Sequence, residues 1–573
     1  MLAGRVDCEC GGGGRSTMQL GELIWTESGK TSAACPICAN VSTKHSAVKV
    51  ANPLGNPPVL EFFMCPGCRS LFPHPFNPPS YHLDQDPQIA KFYAELGAGI
   101  DFMIGPLVAV SRHLNVATFI DVGCGFGYTV DFARRILGWD AHGIDPGGYA
   151  RIGKNVLHIP IAHEILGHGS RYDDRVFDFA FSSEVLEHVT DPHSFLKVVF
   201  NAVKPGGCLV LTTPSAEVVT GSEWPERVLA ALSPGYHSML FSKGGLVAAL
   251  DRAGFSDVKV ERQNERLVAS AGRDVEAPAV SGGTSPSDKY IRYLEALFNS
   301  DVEYYVRHGA GYRLFKEFVN RGEFSRARTV WVKLESELVR QYDSKLLDAD
   351  NLERLLDIVD SFEDYGKAAP YFLSCLLFYH GMFCLNADNT PAQAAGIFAA
   401  AERLMVREIQ KPHAWFIEAA SLLWTTGYHK GVALLRAGER SQAIAEFQQI
   451  IDAEHDGALG RRAPLSSFLI SRSLKEKGVA LLQLGQSEQA LQSFREVLSR
   501  PQESRNSELD REVRRLVANG IKQYRAQIGP GPMLPGVRLI EQAKRAFGAW
   551  RGGVPISDLV RICASRLVRR HRI

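Results

Sequence analysis

The stretch FIDVGCGFGYTV, residues 119–130, runs from an apolar, β-branched strand pattern into glycines at alternate positions, Gly123, Gly125 and Gly127. Asp121 stands just ahead of the first. Bare backbone at a strand end lets the chain turn sharply and approach a ligand that a Cβ would push away. Two classes of nucleotide-like cofactor use this device. The dinucleotide fingerprint needs a glycine or alanine three places after its second glycine, so that the next helix can pack on the strand. Tyr128 holds that place here, which argues against hydride chemistry.

The neighbouring segments sharpen the reading. AHGIDP places Asp145 at the end of the next expected strand, where a carboxylate can accept both hydroxyls of a ribose. A turn aspartate ahead of Pro146 is the competing role. FDFAFSSEVLEHVTDP (177–192), LKVVFNAVKPGGCLVLTTPS (196–215) and YHSMLFSKGGLVAALDRAGF (236–255) continue an alternation of strands and helices that indicates a parallel α/β sheet.

In that order, the D-x-G-x-G-x-G pattern, the acidic strand end and the three later segments resemble the class I S-adenosylmethionine-dependent methyltransferases over roughly a third of the chain. The resemblance implies a Rossmann-like sheet. It also implies a cofactor site that includes Asp121, Gly123, Gly125, Gly127, Asp145 and Ser183, with Asp121 orienting the loop and facing the cofactor's ammonium. The adenine contact has no clear match: HIPIAHEILGHGS offers His163, Glu164 and His168, and Glu164 is named only as a guess.

A sulfonium already activates its methyl group, so the protein has mainly to align nucleophile, carbon and sulfur. A hydroxyl acceptor must also lose a proton, which calls for a base near neutrality. His188, where the fourth strand gives way to its loop, and His237, in the later stretch expected at the same opening, are the candidates, with a structural role for His188 equally open. Glu184, Glu187 and His188 also resemble, place for place, a carboxylate and histidine trio that binds a divalent cation in the ubiquinone-biosynthesis O-methyltransferases. The LEH piece is nonetheless widespread in members without metal.

Upstream, CPIC (35–38) and CPGC (65–68) are two C-x-x-C knuckles separated by 26 residues. Four thiolates at this spacing can close a tetrahedral, structural zinc site through Cys35, Cys38, Cys65 and Cys68, with an extended loop in the connecting hairpin. Redox-active thiols are the alternative. The arrangement resembles the zinc-binding leader of sugar C-methyltransferases, which hints at a glycan acceptor, although that family's catalytic motifs are not evident. Cys8 and Cys10 lie in a glycine-rich leader with too few apolar residues to pack.

Downstream, KGVALLRAGERSQAIAEFQQII from Lys430 and KGVALLQLGQSEQALQSFREVL from Lys477 align without a gap. Gly431, Ala443 and Phe447 in the first match Gly478, Ala490 and Phe494 in the second. The match resembles the tetratricopeptide repeat, in which helix pairs set small residues against large ones. The copies start 47 residues apart, so the array is irregular and an ordinary helical bundle stays open. DLVRICASRLVRRHRI, at the end, is basic and amphipathic, suiting an acidic partner, a membrane surface or simply a solvated helix.

Lys plus Arg (64) nearly cancels Asp plus Glu (63), which removes a whole-chain argument for nucleic acid. No run of about 18 apolar residues occurs and no signal-like segment opens the chain, so a cytoplasmic location is expected. The expected architecture is a flexible leader (1–33), a zinc-ribbon-like segment (34–80), a class I methyltransferase sheet (81–272), a linker (273–290), an α-helical repeat-like region (291–530) and a basic helical tail (531–573). The expected function is O-methylation of a small molecule, sugar or glycan, with a protein partner on the helical repeats. A cofactor-binding scaffold and a protein methyltransferase are the alternatives.

Overall fold

A computed structural model of the protein describes residues 5–10, 14–19, 21–77, 87–97, 99–280, 287–342, 349–410, 416–454, 463–501 and 506–528. The chain forms two compact units, Met1–Ala437 with Ala453–Leu465, and Gly438–Asp452 with Ser466–Ile573.

The first unit opens with β1 (Arg5–Cys10) paired antiparallel to β2 (Gly14–Gln19). Strands β3 (Leu23–Trp25), β4 (Lys30–Thr31), β5 (Lys44–Ala51), β6 (Val59–Met64) and β7 (Leu71–Pro73) then build an antiparallel sheet around the β5–β6 hairpin. The leader expected to be flexible therefore carries strands, and Met18 is buried. The two knuckles fold alike. The amide of Ala39 donates to the carbonyl of Cys35, and that of Arg69 to Cys65, each at 2.8 Å. Ala39 and Arg69 both take a left-handed φ, 58° and 59°.

The methyltransferase-like sheet is assembled from α1 (Pro87–Glu95), α2 (Ile100–His113), β8 (Thr118–Val122), α3 (Tyr128–Phe132, continuing as a π turn), β9 (Asp140–Ile144), α4 (Gly148–Leu157), β10 (Ile161–Ala162), β11 (Phe177–Ser183), α5 (Pro192–Ala202), β12 (Val203–Pro214), α6 (Pro225–Leu232), α7 (Lys243–Ala253), β13 (Asp257–Gln263) and β14 (Arg266–Gly272). Its strand order is β10-β9-β8-β11-β12-β14-β13. Strands β8 to β12 are parallel, and the last two form an antiparallel hairpin on β12. Covered on both faces, β8 and β11 read as nearly continuous apolar runs, as buried parallel strands do. Asp191 caps α5 by accepting the amides of His193 and Ser194, with Pro192 in the first turn.

The cysteine module is not a separate bead. Cys35, Cys65 and Phe72 share a core with Ile120, Leu209 and Leu246 of the main sheet and its helices. Leu71 and Leu240 exchange backbone hydrogen bonds at 2.9 and 2.8 Å, and the Ser242 hydroxyl donates to the Cys68 carbonyl.

The stretch expected as a linker also packs, up to Val280. The Ala277 amide donates to Asp257 at 2.8 Å, and the carbonyl of Pro278 accepts from the Ser270 hydroxyl at 2.8 Å. Residues 281–286 lie outside the described ones. Helices α8 (Asp288–Phe298), α9 (Tyr304–Asn320), α10 (Phe324–Gln341), α11 (Ala349–Ile358), α12 (Phe362–Ala368), α13 (Leu373–Phe383), α14 (Pro391–Ile409) and α15 (Ile417–Ala437) complete the first unit. Leu294, Phe315, Leu376 and Phe398 belong to the same core as Phe119 and Phe132. So the helices lie directly on the sheet layer, with the Tyr293 hydroxyl donating to the Tyr128 carbonyl at 3.2 Å.

The second unit holds α16 (Arg440–Asp452), α17 (Ser467–Gln483), α18 (Ser487–Ser499) and α19 (Ser507–Ile528). Small residues do meet large ones across helix pairs: a Cβ on Gly381 would stand 2.7 Å from the Phe398 ring, and one on Gly478 2.4 Å from Phe494. The copy from Lys430 spans α15 and α16, which fall in different units. The basic tail, 531–573, lies outside the described residues. Among those described, no single helix is long and apolar enough to cross a membrane.

Candidate functional site

The strand order reverses between β8 and β11, so the segments that follow β8, β9 and β11 converge on one edge of the sheet, where open α/β sheets hold ligands. Gly123, Gly125 and Gly127 all have left-handed φ, 79°, 50° and 87°. Their bareness serves different ends. A Cβ on Gly123 would meet Val185 at 2.3 Å and one on Gly127 would meet Ile159 at 2.6 Å, so these two glycines are demanded by packing. At Gly125 nothing lies within 4 Å of that position, so here the bare backbone faces open space, as a ligand cradle requires.

Asp145 fixes this loop. One carboxylate oxygen accepts the Gly125 amide at 2.9 Å and the other accepts the Gly147 amide at 2.6 Å. Each oxygen keeps a further lone pair for a hydroxyl. Asp121 is buried, and its carboxylate accepts the Thr129 hydroxyl. Burial pushes its pKa up to about 7; the Thr129 hydrogen bond pulls down and the neighbouring Asp145 pushes up further.

At the end of β11, Ser183 and Thr212 hydroxyls lie 2.8 Å apart and Thr212 donates to Glu184 at 2.9 Å. Glu184 has a left-handed φ of 56° and pairs with Arg266 at 3.4 Å, whose guanidinium stacks 4.3 Å over the Phe102 ring. Glu187 is wholly buried, and its Oε2 accepts the Thr213 hydroxyl at 2.9 Å. Its pKa is driven well up, first by burial and then by Glu184.

His188 and His237 stand edge to face with ring centroids 4.7 Å apart. Burial lowers the pKa of both, that of His237 to about 3, so both rings are neutral at pH 7. His188 is half-buried and His237 buried. The structure thus brings Glu187, His188 and His237 together, with one ligand atom of each lying within 4.8 Å of the others. Glu184 is not in that cluster: it replaces no ligand there, being turned to Thr212 and Arg266. The Glu184, Glu187 and His188 trio noted in the sequence is therefore not brought together; His237, rather than Glu184, stands beside Glu187 and His188.

Glu164 stands apart, as its carboxylate is taken by the backbone and guanidinium of Arg171, with contacts at 2.9, 2.8 and 2.6 Å. His163, beside it, is the residue of that loop whose charge acts on Asp145. Sequence reasoning missed Arg266, Thr212 and Thr213, and the aromatic rim made by Tyr93 set edge to face against Tyr149, ring centroids 4.9 Å apart, with the exposed Tyr236 close by. Thr212 and Thr213 were visible in LTTP at the end of the fifth strand, but their hydrogen-bond partners were not.

The four cysteines meet as expected. The Sγ atoms of Cys35 and Cys68 are 3.7 Å apart and those of Cys38 and Cys65 3.5 Å. Tetrahedral coordination at about 2.3 Å would set sulfur atoms about 3.8 Å apart, so the donor set fits a closed zinc site.

Residues 91–260 match a family model described as a methyltransferase domain. A ubiquinone biosynthesis O-methyltransferase of Maricaulis maris is 30% identical over 130 residues, covering 21% of this chain and 50% of that protein. A protein of the same description from Paraburkholderia phymatum is 32% identical over 132 residues, covering 20% of this chain and 55% of that protein. The chain thus spans about half the length of the curated relatives it matches. An O-methyltransferase family protein of known structure from Burkholderia thailandensis aligns over 31% of this chain and 58% of that one, with 18% identity and a TM-score of 0.27.

Proposed function

Taking residues 91–260 as a class I methyltransferase domain, we propose that this chain moves a methyl group from S-adenosylmethionine to a hydroxyl oxygen of a small molecule, sugar or glycan. The observation that carries the proposal is the open left-handed Gly125, held by Asp145 at the point where the strand order reverses.

S-adenosylmethionine supplies a methyl group already activated on a sulfonium. The chain's residues do the rest. Asp145 offers its remaining lone pairs to the ribose hydroxyls, and Gly125 lets the amino-acid portion lie against the main chain. Asp121 and Thr129 face the ammonium, and His163, rather than Glu164, borders the adenine side. His188, half-buried and neutral, is the group suited to take the acceptor's proton, while Tyr93, Tyr149 and Tyr236 give an acceptor apolar faces to rest on.

In the same reading the four cysteines hold one structural zinc, which leaves them no open position for a substrate. A reducing, cytoplasmic setting suits four thiolate ligands. The helix pairs act as a tetratricopeptide-like surface for a protein partner. The test of function is transfer of label from methyl-labelled S-adenosylmethionine into glycan, lipid, quinone and protein fractions of a cell extract. Label in a small-molecule or glycan fraction supports the reading. Label confined to protein replaces it with protein methylation, and label in none of the fractions, with cofactor bound, leaves a scaffold.

A further inference from the structure

We propose that the end of α1 couples the helical region to the cofactor site, with Arg313 and Glu95 as positioning residues, a coupling that rests on the methyl-transfer reading of that site. An α-helix closes with backbone carbonyls that have no partner inside the helix. At the end of α1, two neighbouring carbonyls are claimed by different layers of the fold. That of Ala94 accepts the Tyr128 hydroxyl at 3.2 Å, beside the Gly97 amide at 3.1 Å. Tyr128 directly follows Gly127, so this bond ties α1 to the glycine loop. The carbonyl of Glu95 accepts from Arg313 of α9 at 2.8 Å, which ties the same turn to the helical region.

The grip from the helical side is close and polar. Arg313 is buried; its guanidinium also donates to the Gly309 carbonyl at 3.0 Å and pairs with Asp101 of α2 at 3.3 Å. A Cβ on Gly97 would stand 2.4 Å from the Arg313 guanidinium carbon, and one on Gly309 2.8 Å from the Glu95 carbonyl oxygen. Bare backbone at both places is what lets α9 lie against the turn after α1. The Glu95 side chain, wholly buried, accepts the Tyr371 amide at 2.8 Å and the Tyr342 hydroxyl at 3.1 Å. Lys91, 3.4 Å from it, donates to the Gly366 carbonyl. Directional bonds sealed from water hold α1 in one position against the helices, because shifting it would strand several buried polar groups at once.

The opposite face of α1 reaches the site. Tyr93, two places from both Lys91 and Glu95, is exposed and meets the Tyr149 ring at the rim. Tyr149 lies just past Gly147, whose amide is held by Asp145, the carboxylate assigned to the ribose. A shift of α1 therefore moves the glycine loop through Tyr128 and the segment after Asp145 through Tyr149. Coupling of this kind is reciprocal: helices that set the affinity for the cofactor are in turn steadied when the cofactor binds. A partner seated on the helices would change cofactor affinity without touching the site.

The zinc-loaded full-length chain is titrated with S-adenosylhomocysteine by calorimetry, and its amide hydrogen exchange is followed with and without that compound. Bound S-adenosylhomocysteine should slow exchange by at least about threefold in α1 and around Gly309 and Arg313, as well as in the glycine loop. Arg313→Met should weaken binding about tenfold and Tyr128→Phe about fivefold, whereas Arg313→Lys, which keeps a donor for the Glu95 carbonyl, should stay within about threefold. Both bonds act through one turn, so the double variant Tyr128→Phe, Arg313→Met should bind no more than about fifteenfold worse, where independent effects would multiply to about fiftyfold. Protection confined to the glycine loop and residues 145–149, or effects that multiply, overturns the proposal. Should Arg313→Met fail to fold, the exchange measurement on the unaltered chain decides. If that chain gives neither heat nor protection anywhere, the methyl-transfer reading fails and the coupling falls with it.

Discussion

The carboxylate of Asp145 accepts the amide hydrogen of Gly125 at 2.9 Å, joining the end of the second sheet strand to the glycine loop that follows the first. A residue chosen from sequence as a ribose ligand is thus also the tie that shapes the loop. Asp145→Ala removes both functions and leaves the Gly125 and Gly147 amides without their acceptor. We expect it to lower affinity for S-adenosylhomocysteine by at least about a hundredfold and stability by about 1–3 kcal/mol. Calorimetry and denaturant unfolding measure the two effects.

Asp121 predicts a pH dependence. Its carboxyl, raised to about 7 by burial, is largely protonated below that pH when no cation faces it. A ligand ammonium favours the ionised form, so affinity for the cofactor should rise as pH increases from about 6 to 8 and then level off. The folded protein by itself has the opposite trend from this group: it loses stability as pH rises from about 4 to about 7, and no further above that, because the unfolded state ionises near the usual carboxylate value while the folded carboxyl holds its proton to about 7. Asp121→Asn should flatten the pH profile of cofactor affinity, as measured by titration at several pH values.

Gly123 and Gly125 should respond differently to alanine. Gly123→Ala puts a methyl group 2.3 Å from Val185 on a backbone with φ of 79°, and soluble yield and melting temperature should both fall. Gly125→Ala meets no neighbour, so its cost to folding is the left-handed strain of about 1–2 kcal/mol. The Gly125→Ala protein should fold and lose cofactor binding. Equal behaviour of the two variants would contradict the division of roles between them.

Zinc removal should be felt beyond the knuckles. Cys35 and Cys65 share a core with Ile120 and Leu209, so stripping the metal with a chelator, or Cys68→Ser, should lower the melting temperature of the main sheet as well. Elemental analysis should find one zinc in the cysteine site and circular dichroism should report the melting shift.

The glycine loop, its two aspartates, the cysteine knuckles and the alternation of strands and helices were legible because each rests on local chemistry that spacing reveals. The strand order came from tertiary pairing that no local pattern encodes. His237 could be placed near the opening, but not in the cluster, because its partner Glu187 is 50 residues away in sequence. Glu164 was misleading because a carboxylate after the third strand looks available until Arg171 is seen to hold it. The continuity of the helices with the sheet was hidden as well. It depends on buried groups such as Arg313, which donates to the carbonyls of Glu95 and Gly309 at 2.8 and 3.0 Å and pairs with Asp101 at 3.3 Å, linking helices that lie some 200 residues apart. Residues 273–290 read as a linker, yet Ala277 and Val280 are buried, because small and apolar residues in such a stretch can pack along an edge strand.

The most direct measurement is isothermal calorimetry of S-adenosylmethionine and S-adenosylhomocysteine against the purified, zinc-loaded, ligand-free chain. A heat of binding with one molecule per chain, abolished by Asp145→Ala, is the predicted result. No heat from either compound in a folded protein would contradict the account.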